Sequence, residues 1–226
     1  MTFNGFSPET FWFFEELEKY NYKPWFEEHK AIYQSEVLQP LKDFAVSMTP
    51  FFYQLDPLME FRPNKMISRI YRDIRFSNDK TPYKKHMWIM FQRPFTKHGD
   101  EWTNFPGYYL EIGKEGANFG MGLFMGKKKT MDLYRDRIAY DPVSFREMTE
   151  GLREKHGFIL GGEEYKRPLV NDLSEYFQPW MQRKGIYLTK NIPISEVFHS
   201  VDFIPFMENE FAYLHPFYEF LVDICD

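Results

Sequence analysis

Cysteine is almost absent: Cys225 is the only one, so no disulfide can form within the chain. A thiol beside the chain end is also poorly placed to be held as a nucleophile. No window approaches the roughly 20 apolar residues that cross a bilayer. The opening "MTFNGFSPET" lacks the basic segment and apolar run of a signal peptide. Histidine is scarce, and none of the six shows H-E-x-x-H spacing or a carboxylate or Cys partner at metal-ligand spacing. These absences point to a cytoplasmic protein with no membrane partner, no metal site and no predicted cofactor.

Rings are abundant instead. Phe, Tyr and Trp make up 20% of the 226 residues, so the core is expected to be built largely from edge-to-face aromatic contacts. The length suits a single globular domain, 1–226, and the 27% of charged residues matches an ordinary folded one. A net charge of −5 argues against nucleic acid as a partner of the whole surface. The charge is unevenly spread, however. From Arg62 to Lys85 eight basic residues stand against Asp73 and Asp79, a +6 island in a remainder of −11.

The hydrophobic period changes along the chain. Ser7-Pro8-Glu9 reads as a helix start, followed by apolar positions at helical spacing to Asn21. A second helix begins at Lys23-Pro24-Trp25 and ends or kinks at Pro40, and a third runs from about Leu41 to Tyr53. From Met59 the period is two, with strand candidates "SRIYRDIRF", "HMWIMFQRPF", "GYYLEIG" and "ANFGMGLFM". The last two form a hairpin turning at Gly113–Gly116, with Glu111 facing Asn118. Thr130 reads as an N-cap, and Asp141-Pro142 starts another helix. Short strands are expected at "GFILGGEEYKRP" and "GIYLTKNIP", and a last helix from Ser195 toward Ile224 is interrupted near Pro205 and Pro216. The expected class is α+β: N-terminal helices, a central antiparallel sheet of about four to six strands, and C-terminal helices.

"GMGLFMGKKKT" has five residues between Gly120 and Gly126, one too many for a phosphate loop, and reads as a strand entering a basic turn. "SRIYRDIRFSNDKTPYK", residues 68–84, carries more chemistry. On a strand, Arg69, Tyr71, Asp73 and Arg75 share one side and Ile70, Arg72, Ile74 and Phe76 the other. Arg72 would then lie against the core, where a guanidinium is costly unless an acid such as Glu111 meets it. Asp73 either clamps its neighbouring arginines or orients them toward a ligand.

The motif Arg69–Lys84 resembles the signature R-I-x-R-D-x-R-F-S-x-D-K-[ST]-P-Y-K of a bacterial and fungal family known as domain of unknown function 2461. Asn21 followed by Trp25-Phe26 and Tyr33 resembles its N-terminal segment, Gly107–Leu110 its "G-F-Y-L" strand and Lys166-Arg167-Pro168 its "K-R-P" turn. After Pro168 the sequence departs from the family's "P-P-R-G" segment. The resemblance implies a basic motif central to the protein and supplies no catalytic residues.

Three roles are open on the sequence alone. In the first, Arg69, Arg72, Arg75, Lys80 and Lys84 hold a small phosphorylated or carboxylated ligand, with Asp73 and Asp79 orienting them. Tyr71 and Tyr83 line that pocket, and Glu111, beside Gly120 and Gly122, is the candidate general acid or base of a possible enzyme. In the second, the island binds nucleic acid, against which the acidic remainder stands. In the third, the motif is an internal ion-pair network.

Overall fold

A computed structural model describes residues 2–75, 78–94, 105–169 and 171–225. The chain is α+β. Helices α1 (Pro8–Lys19), α2 (Lys23–Glu28) and α3 (Lys30–Ile32) lead into a π-helical segment, Tyr33–Leu38, then α4 (Gln39–Leu55) and α5 (Pro63–Met66). The strands are β1 (His86–Gln92), β2 (Gly107–Gly113), β3 (Gly116–Leu123), β4 (Ile159–Gly161) and β5 (Ile186–Pro193). They form one antiparallel sheet in the order β1-β2-β3-β5-β4. Helices α6 (Lys128–Tyr140) and α7 (Pro142–Glu154) precede β4, α8 (Gln178–Met181) precedes β5, and α9 (Phe203–Cys225) closes the chain.

By compactness the chain divides into two units. The first comprises Met1–Phe91, Tyr109–Asn118 and Asn191–Asn209. Its core is a pile of rings: Phe3 meets Phe6 and Phe44 edge-on, and Phe52 stacks on Phe91 at 4.0 Å. The second comprises Gln92–Tyr108, Phe119–Lys190 and Glu210–Asp226. There Phe145 packs edge-on against the fully buried Trp180, and Tyr108 and Phe119 both meet Phe211. Buried Arg135 in this unit donates to the carbonyls of Met131, Met181 and Arg183 and pairs with Asp132 at 3.0 Å, which offsets the desolvation cost of its guanidinium.

Several sequence expectations change. Pro40 does not end the helical run; it sits in the first turn of α4, directly after the π-helical segment Tyr33–Leu38, and the backbone stays helical through Leu38 and Gln39. Thr130 is not a cap, because α6 begins at Lys128. Pro216 lies inside an unbroken α9, whose buried Phe217 and Leu221 hold it in place by packing. Asp141 does cap α7, accepting from the Ser144 amide at 3.1 Å. The largest change is at the signature. Residues 68–75 form no strand, and among the described residues only the isolated bridges Ile67–Ile89 and Tyr71–Tyr83 remain. Phe76 lies outside the described residues.

Gly120 and Gly122 leave no groove. A Cβ at either would collide with β5, at the Leu188 carbonyl and at Ile186–Tyr187 respectively. They are glycine because a neighbouring backbone passes too close for any side chain.

Candidate functional site

The signature folds as an irregular two-stranded arm in the first unit. Ser68 N–H donates to the Trp88 carbonyl, Lys84 N–H to Ile70 and Arg72 N–H to Pro82, at 2.8, 2.8 and 2.9 Å. Pairing stops there for local reasons. Pro82 has no N–H to return, and Asp73 and Asp79 each fold back on the chain two residues on. Asp73 accepts from the Arg75 amide and Asp79 from the Thr81 amide, forming Asx turns that compete with a ladder. Side chains therefore alternate only as far as Arg72: Ile70 is buried and Arg72 half-buried, but Ile74 is exposed.

Rings carry the arm. Tyr83 is buried and stacks on Phe26 of α2 at 4.1 Å; Phe26 also meets Tyr33 at 5.4 Å and Tyr71 at 6.1 Å. Asn21, in the turn between α1 and α2, acts as a third strand in miniature. Its amide donates to the Tyr83 carbonyl and accepts from the Tyr83 N–H, both at 3.0 Å. That contact explains why Asn21 and Trp25-Phe26 accompany the motif in sequence.

The motif cations have different fates. Arg75 grips Asp73 with two nitrogens, at 2.9 and 2.7 Å, and holds its carboxyl down at about 2. Arg72 pairs with Asp79 at 3.1 Å and donates to the Tyr83 carbonyl, so the acid it meets is Asp79 and not Glu111. Its Nε is buried without a partner among the described residues. Lys80 donates to the Ile74 carbonyl at 2.7 Å. Lys84 donates to the Arg69 carbonyl at 2.6 Å and lies 3.9 Å over the Trp88 ring; burial, Arg69 and Arg72 all push its amine down. Arg69 differs from all of these: its guanidinium is exposed, with no hydrogen bond or ion pair to any described residue.

Two hollows adjoin the arm. A groove of about 240 Å³ lies along the π-helical segment, α4 and residues 67–71. Its polar lining is Tyr33, Lys42, Asn64, Ser68, Arg69 and Tyr71, over Leu38, Ile67 and Ile70. Lys42, like Arg69, has no ion-pair partner among the described residues. Burial pushes the Tyr33 hydroxyl up to about 12, so it is a neutral donor at any physiological pH. Tyr71 remains 52% exposed.

The second hollow is a cleft of about 540 Å³ at the turn of the β2–β3 hairpin. Here Glu111 and His86 face each other, Oε2 to Nε2, at 3.6 Å. Burial raises the Glu111 carboxyl, and burial together with Lys84 and Arg72 lowers the His86 imidazole. Glu18 takes both neighbouring lysines, Lys85 at 3.1 Å and Lys114 at 2.5 Å. Of the residues singled out in the sequence, the groove gathers Arg69 and Tyr71 and the cleft Glu111. Arg72, Tyr83 and Lys84 brace the arm, and Asp73, Arg75, Asp79 and Lys80 shape its turn. Sequence reasoning missed His86, although it stands two residues after the signature's Tyr83-Lys84, and it missed Lys42, for which no local pattern gives a signal.

These shifts set a pH response. His86, with its imidazole lowered from 6.5, contributes stability present above 6.5 and lost as pH falls through its folded value. Glu111, raised from 4.5, contributes in the opposite sense, losing stability as pH rises through its folded value. In urea unfolding followed against pH, His86→Gln is therefore expected to flatten the decline just below 6.5. It should leave the steeper loss below about 4 that Asp73 and Asp79 impose. Equal slopes in both proteins above pH 5 would contradict the assignment.

The fold and site together define an α+β protein whose basic arm borders two polar hollows, and no helix of the described residues is long and apolar enough to cross a membrane. The chain belongs to the family described as conserved hypothetical protein, domain of unknown function 2461, whose model matches residues 9–220. No curated protein and no solved structure matches it.

Proposed function

We propose that the protein is a cytoplasmic binder of a small carboxylated or phosphorylated molecule, held in the groove beside the signature arm. The observation that carries this reading is the guanidinium of Arg69. Alone among the motif arginines, it finds no hydrogen-bond or ion-pair partner among the described residues while lining a hollow that also receives Lys42. Two cations that form no ion pair with a described residue favour an anion, although Arg69 also feels the charge of Asp73, and a guanidinium offers a planar, two-pronged donor to carboxylate or phosphate. The Tyr33 and Tyr71 hydroxyls and the Asn64 amide add uncharged donors around that position. The exposed Tyr71 ring offers a surface on which a flat ligand can lie.

A second reading has its own support. Arg72, Arg75, Lys80 and Lys84 each meet a protein acceptor, so most of the motif acts as an internal brace. The two readings are compatible: the brace fixes the backbone of residues 69–71, and Arg69 is what it presents.

A thermal-shift screen of phosphorylated sugars, nucleotides and organic acids tests the proposal. At least one anionic class is expected to raise Tm in a saturable way, and Arg69→Ala should abolish the rise. A panel with no response, or a response that survives Arg69→Ala, would contradict it.

A further inference from the structure

The cleft at the hairpin turn has a different chemistry from the groove. Its lining carries two lysines, Lys85 and Lys114, against three glutamates, Glu18, Glu111 and Glu115. Glu18 already engages both lysines. With His86 neutral the lining is therefore net negative, which disfavours an anion there. What remains to meet a ligand is a set of uncharged or acceptor groups.

Three of them, Glu111, His86 and Asn191, line the same cleft. Glu111 Oε2 and His86 Nε2 stand 3.6 Å apart, beyond hydrogen-bond reach of each other and close enough for one oxygen atom to touch both. Alongside, Tyr109 donates to Asn118 Oδ1 at 2.5 Å, and Asn118 donates to Asn191 Oδ1 at 2.7 Å. The chain of bonds leaves the Asn191 amide N–H group without a partner among the described residues, on the wall of the cleft.

We infer that this cleft is a second binding site, independent of the groove, for a small uncharged molecule carrying several hydroxyl groups. One hydroxyl lies between Glu111 and His86, donating to the carboxylate and accepting from the imidazole N–H. A hydroxyl is the group that can do both at once. A further hydroxyl accepts from the Asn191 amide. The volume of about 540 Å³ accommodates a molecule of monosaccharide size. Burial, with Lys84 and Arg72, lowers the His86 imidazole and so favours the neutral ring whose N–H donates in this arrangement. The other charges facing the pair are Lys84 and Arg72 from the arm, and Glu18, Lys85, Lys114 and Glu115 at the cleft.

The test is a titration of the full chain at pH 7 with glycerol, D-ribose, D-glucose and inorganic phosphate, following the His86 ring resonance by NMR. At least one of the three polyols is expected to move that resonance saturably. Glu111→Gln, which loses a charged acceptor, is expected to weaken the effect by about tenfold or more. Asn191→Ala, remote from the ion-pair network, should weaken it by a smaller factor and guards against a folding defect in the first variant. Arg69→Ala should leave the polyol response intact, so failure of the groove proposal and failure of this one are distinguishable. A resonance that no polyol moves, one that phosphate alone moves, or a polyol response unchanged in both Glu111→Gln and Asn191→Ala would overturn the inference.

Discussion

Phe26→Ala is expected to destabilise the protein by about 3–5 kcal/mol, the range for removing a large buried ring from a core that cannot collapse around the cavity. Phe26 is fully buried and touches four other rings, Phe13, Tyr33, Tyr71 and Tyr83. Two of these, Tyr33 and Tyr71, line the groove. The ring therefore joins the core of the first unit to the proposed site, and its loss should also abolish the anion-dependent rise in Tm at temperatures where the variant stays folded. Urea unfolding followed by near-ultraviolet circular dichroism measures the first effect. A cost below about 1 kcal/mol would mean that the arm does not rest on this ring.

The second large effect is expected from a polar residue. Asn21→Ala removes both partners of the Tyr83 backbone at once. Tyr83 is buried, so its N–H loses its bond outright, while its carbonyl keeps only the longer contact from Arg72 at 3.3 Å. A buried backbone group left unsatisfied costs about 1–3 kcal/mol, so the variant should lose about 2–4 kcal/mol. The exposed Asn4→Ala is the control and should be silent. Equal stability of the two variants would contradict the role given to Asn21. Because an amide side chain here replaces a neighbouring strand, loosening of the arm should show as faster exchange of the Ser68, Arg72 and Lys84 amides, which pair across it.

Much of this architecture is legible in the residues. The start of α1 follows from Ser7-Pro8, and the β2–β3 hairpin from two alternating runs joined at Gly113–Gly116. Local chemistry determines both. The signature misleads because its alternation is genuine for four residues and then yields to Asp73 and Asp79, whose side chains satisfy backbone amides that a strand would have paired. Gly120 and Gly122 mislead for the opposite reason. In the sequence they look like missing side chains, and only β5, more than sixty residues away, shows that the space is already filled. The basic island divides in the same way. Composition counts its charges alike, whereas the fold spends Arg72, Arg75, Lys80 and Lys84 on protein acceptors and leaves Arg69. Lys42 joins Arg69 through helix packing, a juxtaposition that no motif encodes.

The central claim is that Arg69 is the presented cation and the rest of the motif its support. Calorimetric titration of inorganic phosphate into the wild type, Lys42→Ala, Arg69→Ala and Arg75→Ala at low ionic strength tests it most directly, since exposed charge interactions are weakened by salt. The account predicts saturable binding by the wild type and by Arg75→Ala, and a loss of about tenfold or more in Arg69→Ala and Lys42→Ala. Binding that is indifferent to Arg69, or that depends equally on Arg75, would contradict it.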